Sequence, residues 1–371
     1  MIKTLKSLQL INAYSTNNVG DAAIYNALLT MSQQHGFNQV VLPHIEESRA
    51  TLQQRIGNIE KKLSSVSPCQ QSLLAVGGDI FNNSRPKFVT RRFLKNAAQL
   101  SVAPKRTALF GQSIPRSCRG ISFKWLCHKL RKIASVTVRD QESFQRLQSA
   151  GVNAKLSYDS VFAAEVNVDT VGLIQELYGA KNQNQLSELA LISIRSFDKM
   201  YPQDSKKFMQ AIVQLIRRLE KYGLSVGILL QSQVDASDGD ANVIRHIQNE
   251  CDVNVLDPFQ IHQKLPHLKP WEISQGLIEL SQLVIGVRYH TSIFRLMGGK
   301  MPFNIHYSNK GADLCHRLNV PGVSVDEFSV EKNFQDIVKT IGQSFAPGSI
   351  ATQVREDFAQ AIQRTQNAYG Y

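Results

Sequence analysis

A chain of 371 residues, 43% of them hydrophobic and 19% charged, has material for more than one core and is read as two globular domains. No apolar run reaches the ~20 residues of a membrane-spanning helix. The five cysteines (Cys69, Cys118, Cys127, Cys251 and Cys315) lack CxxC spacing, which excludes a disulfide scaffold or a zinc ribbon and fits reduced thiols. The first residues lack the apolar stretch and small-residue site of a secretory leader, so a cytoplasmic protein is expected.

The chain then alternates strand and helix. Residues 8–13 read as a strand, and Ser15-Thr16-Asn17-Asn18-Val19-Gly20-Asp21 as a loop dense in turn formers. Residues 22–35 carry Ile24, Ala27, Leu28 and Met31 at helical spacing, and Gly36 ends the helix. Asp21 is placed to cap it, and amides at a helix start can hold an anion; a plain cap and turn is the equal alternative. The loop is not GxGxxG, so it carries no dinucleotide fingerprint. A short strand over 39–43 and a polar helix over 46–63 follow. Residues 72–76 form a buried strand ending in Gly77-Gly78-Asp79, where paired glycines allow close backbone approach by a ligand or another loop. A helix over 87–100, a strand over 106–110 closed by Gly111-Gln112-Ser113, a helix over 123–133, a strand over 135–138 ending in Arg139-Asp140, and a helix over 141–149 continue the rhythm. Such repeats indicate a parallel sheet covered on both faces.

The rhythm lapses over 166–187, which reads as a linker or crossover. It resumes with a strand over 189–194 ending in Arg195, an amphipathic helix over 206–222, and a strand over 224–230. The segment from Asp235 through Asp238 to Asp240 reads as a helix-capping turn, not a metal site, because no histidine or further carboxylate accompanies it. A helix over 240–249, a strand over 253–256 and a helix over 271–281 lead into Leu283-Val284-Ile285-Gly286-Val287, a buried strand that ends in Arg288-Tyr289-His290. A helix closed by Gly298-Gly299, a strand over 301–306, the loop Tyr307-Ser308-Asn309-Lys310-Gly311 and further helices complete the chain. The division is a first domain over 1–165, the linker, a second domain over 188–345, and a C-terminal helix within 346–371 that can cross back to the first domain. The fold class is α/β, two Rossmann-like domains facing a cleft, a glycosyltransferase-B-like layout.

In open α/β sheets, ligands bind beyond the carboxyl ends of the strands. Arg288 at such an end can grip a carboxylate or phosphate with two parallel hydrogen bonds. His290, two residues on, can move a proton near neutral pH. The equal alternative is an Arg and a His that satisfy backbone carbonyls at a helix start.

Taken in order, Asn18-Val19-Gly20-Asp21, Gly77-Gly78-Asp79, Gly111-Gln112, Val138-Arg139-Asp140, Asp159-Ser160-Val161-Phe162, Ile192-Ser193-Ile194-Arg195, Arg288-Tyr289-His290 and Tyr307-Ser308-Asn309-Lys310 resemble the polysaccharide pyruvyl transferase family. The resemblance runs over roughly residues 8–320. It implies a glycosyltransferase-B-like fold and transfer of pyruvyl from phosphoenolpyruvate to two sugar hydroxyls, forming a cyclic ketal in bacterial polysaccharide or cell-surface glycan synthesis. Arg288 and His290 carry over as the catalytic R-x-H, and Arg195 as the arginine after the first strand of the second domain. Three departures bear on the acceptor more than on the fold. The glycine run is only Gly77-Gly78, Ser160 replaces a proline, and no histidine precedes the acidic segment at Asp235.

The donor carries a carboxylate and a phosphate, so its site needs several cations. Arg195, Arg288 and Lys310 stand at three strand ends of the second domain, which makes this the expected donor side and the basic first domain the acceptor side. His290 is the expected acid/base. Asn18, Gly20, Asp21, Gly77, Gly78 and Arg139 are expected on loops near the cleft. No metal and no cofactor is expected, phosphoenolpyruvate being the donor substrate; the acceptor would be a sugar or a lipid-linked oligosaccharide. Two alternatives stay open. One is a nucleotide-sugar-dependent glycosyltransferase of the same architecture. The other is a non-catalytic binder of glycan, polyanion or nucleic acid; against nucleic acid, the basic region has no recognisable motif and few stacking aromatics.

The formal charge of +12 is uneven. Residues 1–165 hold 22 Lys+Arg against 9 Asp+Glu, a net of +13, and residues 166–371 hold 20 against 21, a net of −1. Between Asp79 and Asp140 there is no acidic residue but there are fourteen Lys and Arg, whereas a solvated surface normally mixes both signs. Within residues 123–133, Phe123, Leu126, Leu130 and Ile133 share a helical face, with Trp125, Lys124, Lys129, Arg131 and Lys132 around it. That pattern suits contact with an anionic membrane, at the inner face of the cytoplasmic membrane, or with a diphosphate-linked lipid acceptor. An ordinary helix packed on its sheet is the alternative.

Overall fold

The computed structural model describes residues 6–43, 45–61, 71–76, 78–83, 88–166, 169–178, 188–197, 205–234 and 239–367. The chain forms two compact units. The first comprises Met1–Thr16, Asp21–Glu165 and Ser349–Tyr371, the second Asn17–Gly20 and Val166–Gly348.

The first unit holds β1 (Ser7–Ile11), β2 (Gln39–Val41), β3 (Gln71–Ala75), β4 (Thr107–Gln112), β5 (Ser135–Val138) and β6 (Lys155–Leu156). They form one parallel sheet in the order β2-β1-β3-β4-β5-β6. Its central strands are buried along nearly their whole length, which is why they read as apolar runs and not as alternation. The helices are α1 (Val19–Gln34), α2 (Arg49–Arg55), α3 (Arg91–Gln99), α4 (Ile121–Leu130) and α5 (Gln141–Ser149). Phe93 and Ala97 of α3 and Leu126 and Leu130 of α4 join Ile11, Leu73, Ala75, Leu109 and Val136 in one core. Thr90 and Asp140 start α3 and α5 by accepting the N–H of Phe93 and Ser143.

Several predicted elements differ. The helix expected over 46–63 is only the seven residues of α2, capped by Ser48. Leu52 is the only buried residue of that helix, too little packing to carry a longer one, and Glu60 instead bridges Val41. The strand expected to stop at Phe110 continues to Gln112 through a bulge, which Gly111 permits with a φ of +70°.

The second unit holds β7 (Leu189–Ser193), β8 (Ser225–Leu229), β9 (Asn254–Leu256), β10 (Leu283–Gly286), β11 (Phe303–His306) and β12 (Gly322–Ser324), all parallel, in the order β12-β11-β10-β7-β8-β9. Counted from its own first strand this is the 3-2-1-4-5-6 Rossmann order, and it reverses between β7 and β10. The helices are α6 (Thr170–Tyr178), α7 (Ser205–Lys221), α8 (Ala241–Gln248), α9 (Pro258–Lys264), α10 (Pro270–Leu280), α11 (Tyr289–Met297), α12 (Asn309–Leu318) and α13 (Val330–Lys339). The stretch read as a linker therefore contains α6, which packs on α10: a methyl at Gly276 would lie 2.7 Å from Ile174.

The last helix, α14 (Ile350–Asn367), belongs to the first unit. Phe358 meets Phe110 edge-on at 5.4 Å, Thr365 donates to Ser72 at 3.0 Å, and Lys155 pairs with the buried carboxylate of Asp357. The α/β class with two Rossmann-like units and a returning C-terminal helix is thus what the molecule has. No helix among the described residues is long and apolar enough to cross a membrane.

Candidate active site

The reversal point of the second sheet gathers the polar groups. At the end of β7 the Ser193 hydroxyl accepts the N–H of both Val287 and Arg288, each at 3.1 Å, which fixes the turn from β10 into α11. The same turn needs Gly286, where a methyl would lie 2.3 Å from the Ser292 hydroxyl. Helix α11 is held from below by Arg295. Its guanidinium donates to the carbonyls of Ile278, Ser281 and Gln282 at 2.7–2.9 Å, and burial pulls its pKa down to about 10. Trp271 stacks on Phe294 at 6.4 Å, so the helix start bearing Arg288 and His290 rests on a packed base.

Arg288 is itself buried and faces a carboxylate. Its Nε and Nη2 lie 3.1 and 2.5 Å from Asp240 Oδ1, and Nε also reaches the Ile194 carbonyl at 3.4 Å. The other oxygen of Asp240 accepts the N–H of Gln231 at 2.8 Å and of Ser232 at 2.9 Å. The reading of Asp240 as a helix cap is corrected here: it precedes α8 but its side chain caps nothing, being spent on Arg288 and on the loop after β8. Asp235 and Asp238 lie outside the described residues.

Arg195 follows β7 and leans on Tyr307 from the end of β11. Nη1 donates to the phenolic oxygen at 2.7 Å, and the guanidinium carbon stands 4.5 Å from the ring centre. Phe197 braces Tyr307 edge-on at 5.6 Å. Lys310, in the first turn of α12, is buried with its ammonium 5.5 Å from the ring centre of Tyr289, and that ring meets His290 at 5.4 Å. Arg195, Arg288, His290 and Lys310 thus stand at the ends of three neighbouring strands, β7, β10 and β11, each held by its own contacts.

Asn17–Gly20 joins this unit. Val19 donates to the Gln231 carbonyl at 3.0 Å and Gln233 to the Asn17 carbonyl at 2.8 Å, while Asn18 bridges Ser232. Gly20 then sits flush against His290: a methyl on it would fall 1.9 Å from Nδ1. Asn18 caps the helix, its side chain accepting the Gly20 N–H at 2.9 Å, and Asp21 lies within the first turn.

The other predicted site residues belong to the first unit. Gly77 lies outside the described residues. Gly78 approaches Arg139, whose guanidinium would be 3.6 Å from a methyl there. Arg139 is not a residue of an open loop. Its side chain is fully buried, 2.5 Å from Asp159, 3.6 Å from Asp79 and 3.0 Å from Ser113. Asp140 beside it caps α5. The Val-Arg-Asp and Asp-Ser-Val-Phe motifs therefore meet in one buried ion cluster.

Sequence reasoning missed Asp240 as the partner of Arg288 and Tyr307 as the support of Arg195. A buried arginine demands a carboxylate, but nothing in the chain says which one supplies it. Chemically, the cations of Arg195, Arg288 and Lys310, next to an imidazole and the amino end of a helix, suit a small polyanion whose conversion needs proton transfer.

Three solved structures show the same fold over nearly the whole chain. Anabaena HepE in complex with UDP-glucose aligns with a TM-score of 0.54 at 12% identity, covering 99% of each chain. The Methanocaldococcus jannaschii UDP-GlcNAc 2-epimerase, in complex with UDP-GlcNAc and UDP, gives 0.54 at 9%, covering 98% of this chain and 100% of its own. A glycosyltransferase from Rickettsia africae gives 0.50 at 9%, covering 99% and 97%. At these identities the likeness establishes a glycosyltransferase-B-type fold and nothing more. No curated protein matches the chain. The sequence model of the polysaccharide pyruvyl transferases matches residues 18–309, from the Asn18 loop to the start of α12, and the chain belongs to that family.

Proposed function

We propose that the protein transfers pyruvyl from phosphoenolpyruvate to two hydroxyls of one sugar, forming a cyclic ketal, in the synthesis of a polysaccharide or cell-surface glycan. The observation that carries this reading is that Arg195, Arg288 and Lys310, with His290 beside Tyr289, stand at the ends of three neighbouring strands of the second sheet, β7, β10 and β11. The second unit is then the donor side. Arg195, Arg288 and Lys310 would hold the carboxylate and phosphate of the donor, with the amino end of α11 favouring a negative charge beside it.

The chemistry asks for few parts. Protonation of the methylene carbon makes it a methyl group and leaves an oxocarbenium-like centre at C2. The first sugar hydroxyl adds there and gives up its proton. Inorganic phosphate then leaves with the C–O bonding pair, and the second hydroxyl adds to C2 and loses its proton. The bonds formed are one C–H, two C–O and one O–H on the released phosphate; those broken are the C–O to phosphate, the C=C π bond and two O–H. Of the two hydroxyl protons, one replaces the proton given to carbon and the other leaves with the phosphate. His290 is the group proposed to give and take the first of these, a role typically worth ~10²–10⁴-fold. Gly20, by leaving no side chain beside Nδ1, gives the imidazole its place.

The test is incubation with phosphoenolpyruvate and a panel of sugar and lipid-linked sugar acceptors, following phosphate release and acceptor mass. Phosphate release coupled to gain of one ketal-linked pyruvate supports the reading. Sugar transfer from UDP-glucose, with phosphoenolpyruvate untouched, would overturn it.

A further inference from the structure

We propose that the first unit docks on an anionic membrane surface through the outer side of α3 and α4 and the segment that links α3 to β4. The inference does not depend on the reaction proposed above. It starts from the acid-free stretch between Asp79 and Asp140, which folds into α3, β4, α4 and β5.

The apolar face of α4 is not what remains for a membrane. Leu126 and Leu130 are in the core, and Trp125 is half-buried, 6.0 Å from Phe93 with the Lys129 ammonium 5.6 Å from its ring centre. A different set is left outside. Phe88 is 71% exposed, Val102 77%, Ile121 66% and Leu94 40%. Among the described residues only five large apolar side chains are at least 40% exposed, and four of them fall in this one stretch that has no acid. They are interleaved with Arg91, Lys95, Lys105, Arg119 and Lys124, all exposed, none of which forms an ion pair with a described residue. Arg116 is neutralised by Glu142 at 2.8 Å and Arg139 is buried with Asp159, so those two do not contribute. Val102 also borders a hollow of about 600 Å³ lined by Ala103, Pro104, Lys105, Arg106 and Lys132, cationic enough for a lipid phosphate.

Charge alone would suit any polyanion. The apolar side chains decide for a lipid surface: exposed Phe, Ile, Leu and Val are costly in water and have no electrostatic use, but they gain by entering the headgroup boundary while the cations stay at its anionic edge. Nucleic acid would instead call for stacked aromatics, and Phe88 is the only exposed one in the stretch.

The experiment is co-sedimentation of the full chain with vesicles of phosphatidylcholine, alone or mixed with phosphatidylglycerol, from about 0.1 to 1 M salt. Binding is expected to the anionic vesicles only and to fall steeply with salt. Lys95→Glu/Lys124→Glu should lower the partition at least ~30-fold, the loss of two cations alone. Phe88→Ser/Ile121→Ser, with charge unchanged, should lower it at least ~10-fold. All four side chains are exposed, and unchanged circular dichroism and melting confirm that the variants fold. Equal binding to both vesicle types, or to neither, would overturn the proposal. So would an apolar variant that binds as the parent does while an RNA oligonucleotide displaces both.

Discussion

Arg288 and Asp240 form a buried ion pair in which one carboxylate oxygen takes the guanidinium, Nη2 at 2.5 Å, and the other takes the amides of Gln231 and Ser232. The pair ties the turn after β10 to the loop after β8, and that loop in turn holds Asn17–Gly20. Removing its charge strands the other partner in a poorly solvated place. Asp240→Asn is therefore expected to lower stability by about 3–5 kcal/mol in urea unfolding. A loss below about 1 kcal/mol would show that the pair is solvated and weak.

Gly20 and His290 give a test by paired substitution. Alanine at Gly20, in the first turn of α1, should gain helix propensity, by up to ~1 kcal/mol. Its methyl would however overlap the imidazole at 1.9 Å. Gly20→Ala is expected to destabilise the parent, yet to be neutral or stabilising when His290→Ala has already removed the ring. Equal effects in both backgrounds, measured by thermal unfolding, would mean that the two residues do not touch.

His290→Asn keeps a polar side chain that fits beside Gly20 but cannot exchange protons near neutral pH. Turnover of phosphoenolpyruvate should fall at least ~10²-fold, with donor affinity within a few-fold of the parent and an unchanged melting temperature. Normal turnover would leave His290 a structural residue.

His306, at the end of β11, is partly buried. Desolvation holds its pKa below the ordinary imidazole value, only partly offset by Glu327. The folded chain thus binds this proton less tightly than the unfolded one, whose imidazole titrates near ~6.5. The associated stability is complete above that pH and is lost as the pH falls through it towards the lower folded value. Between about pH 7.5 and 5.5 the parent should lose more stability than His306→Gln. Parallel losses would contradict the assignment.

Much of this was legible in the letters. The Leu283 to Val287 strand is apolar on both faces and stops at a charge, so a buried parallel strand that ends at Arg288 follows from pattern alone. The same holds for Arg195 after β7. Asp240 was not legible, because an acidic residue before a helix looks the same whether it caps or pairs, and its partner lies 48 positions away. Gly20 was singled out as a turn former, but its contact with His290 exists only once the chain has folded. The helix over 46–63 was overread because polar helical composition does not show how little there is to bury, and Trp125 because an amphipathic helix does not announce which neighbour covers it.

The proposed function rests on the cationic series of the second unit binding phosphoenolpyruvate. The direct measurement is calorimetric titration of phosphoenolpyruvate into the parent and into Arg288→Lys, which keeps the charge beside Asp240 but loses the planar fork. The parent should bind, with affinity unaffected by added UDP-glucose, and Arg288→Lys should bind more weakly by about 1–3 kcal/mol, roughly 5- to 150-fold. Equal affinity in the two proteins, or no binding to the parent at all, would contradict the assignment of this site.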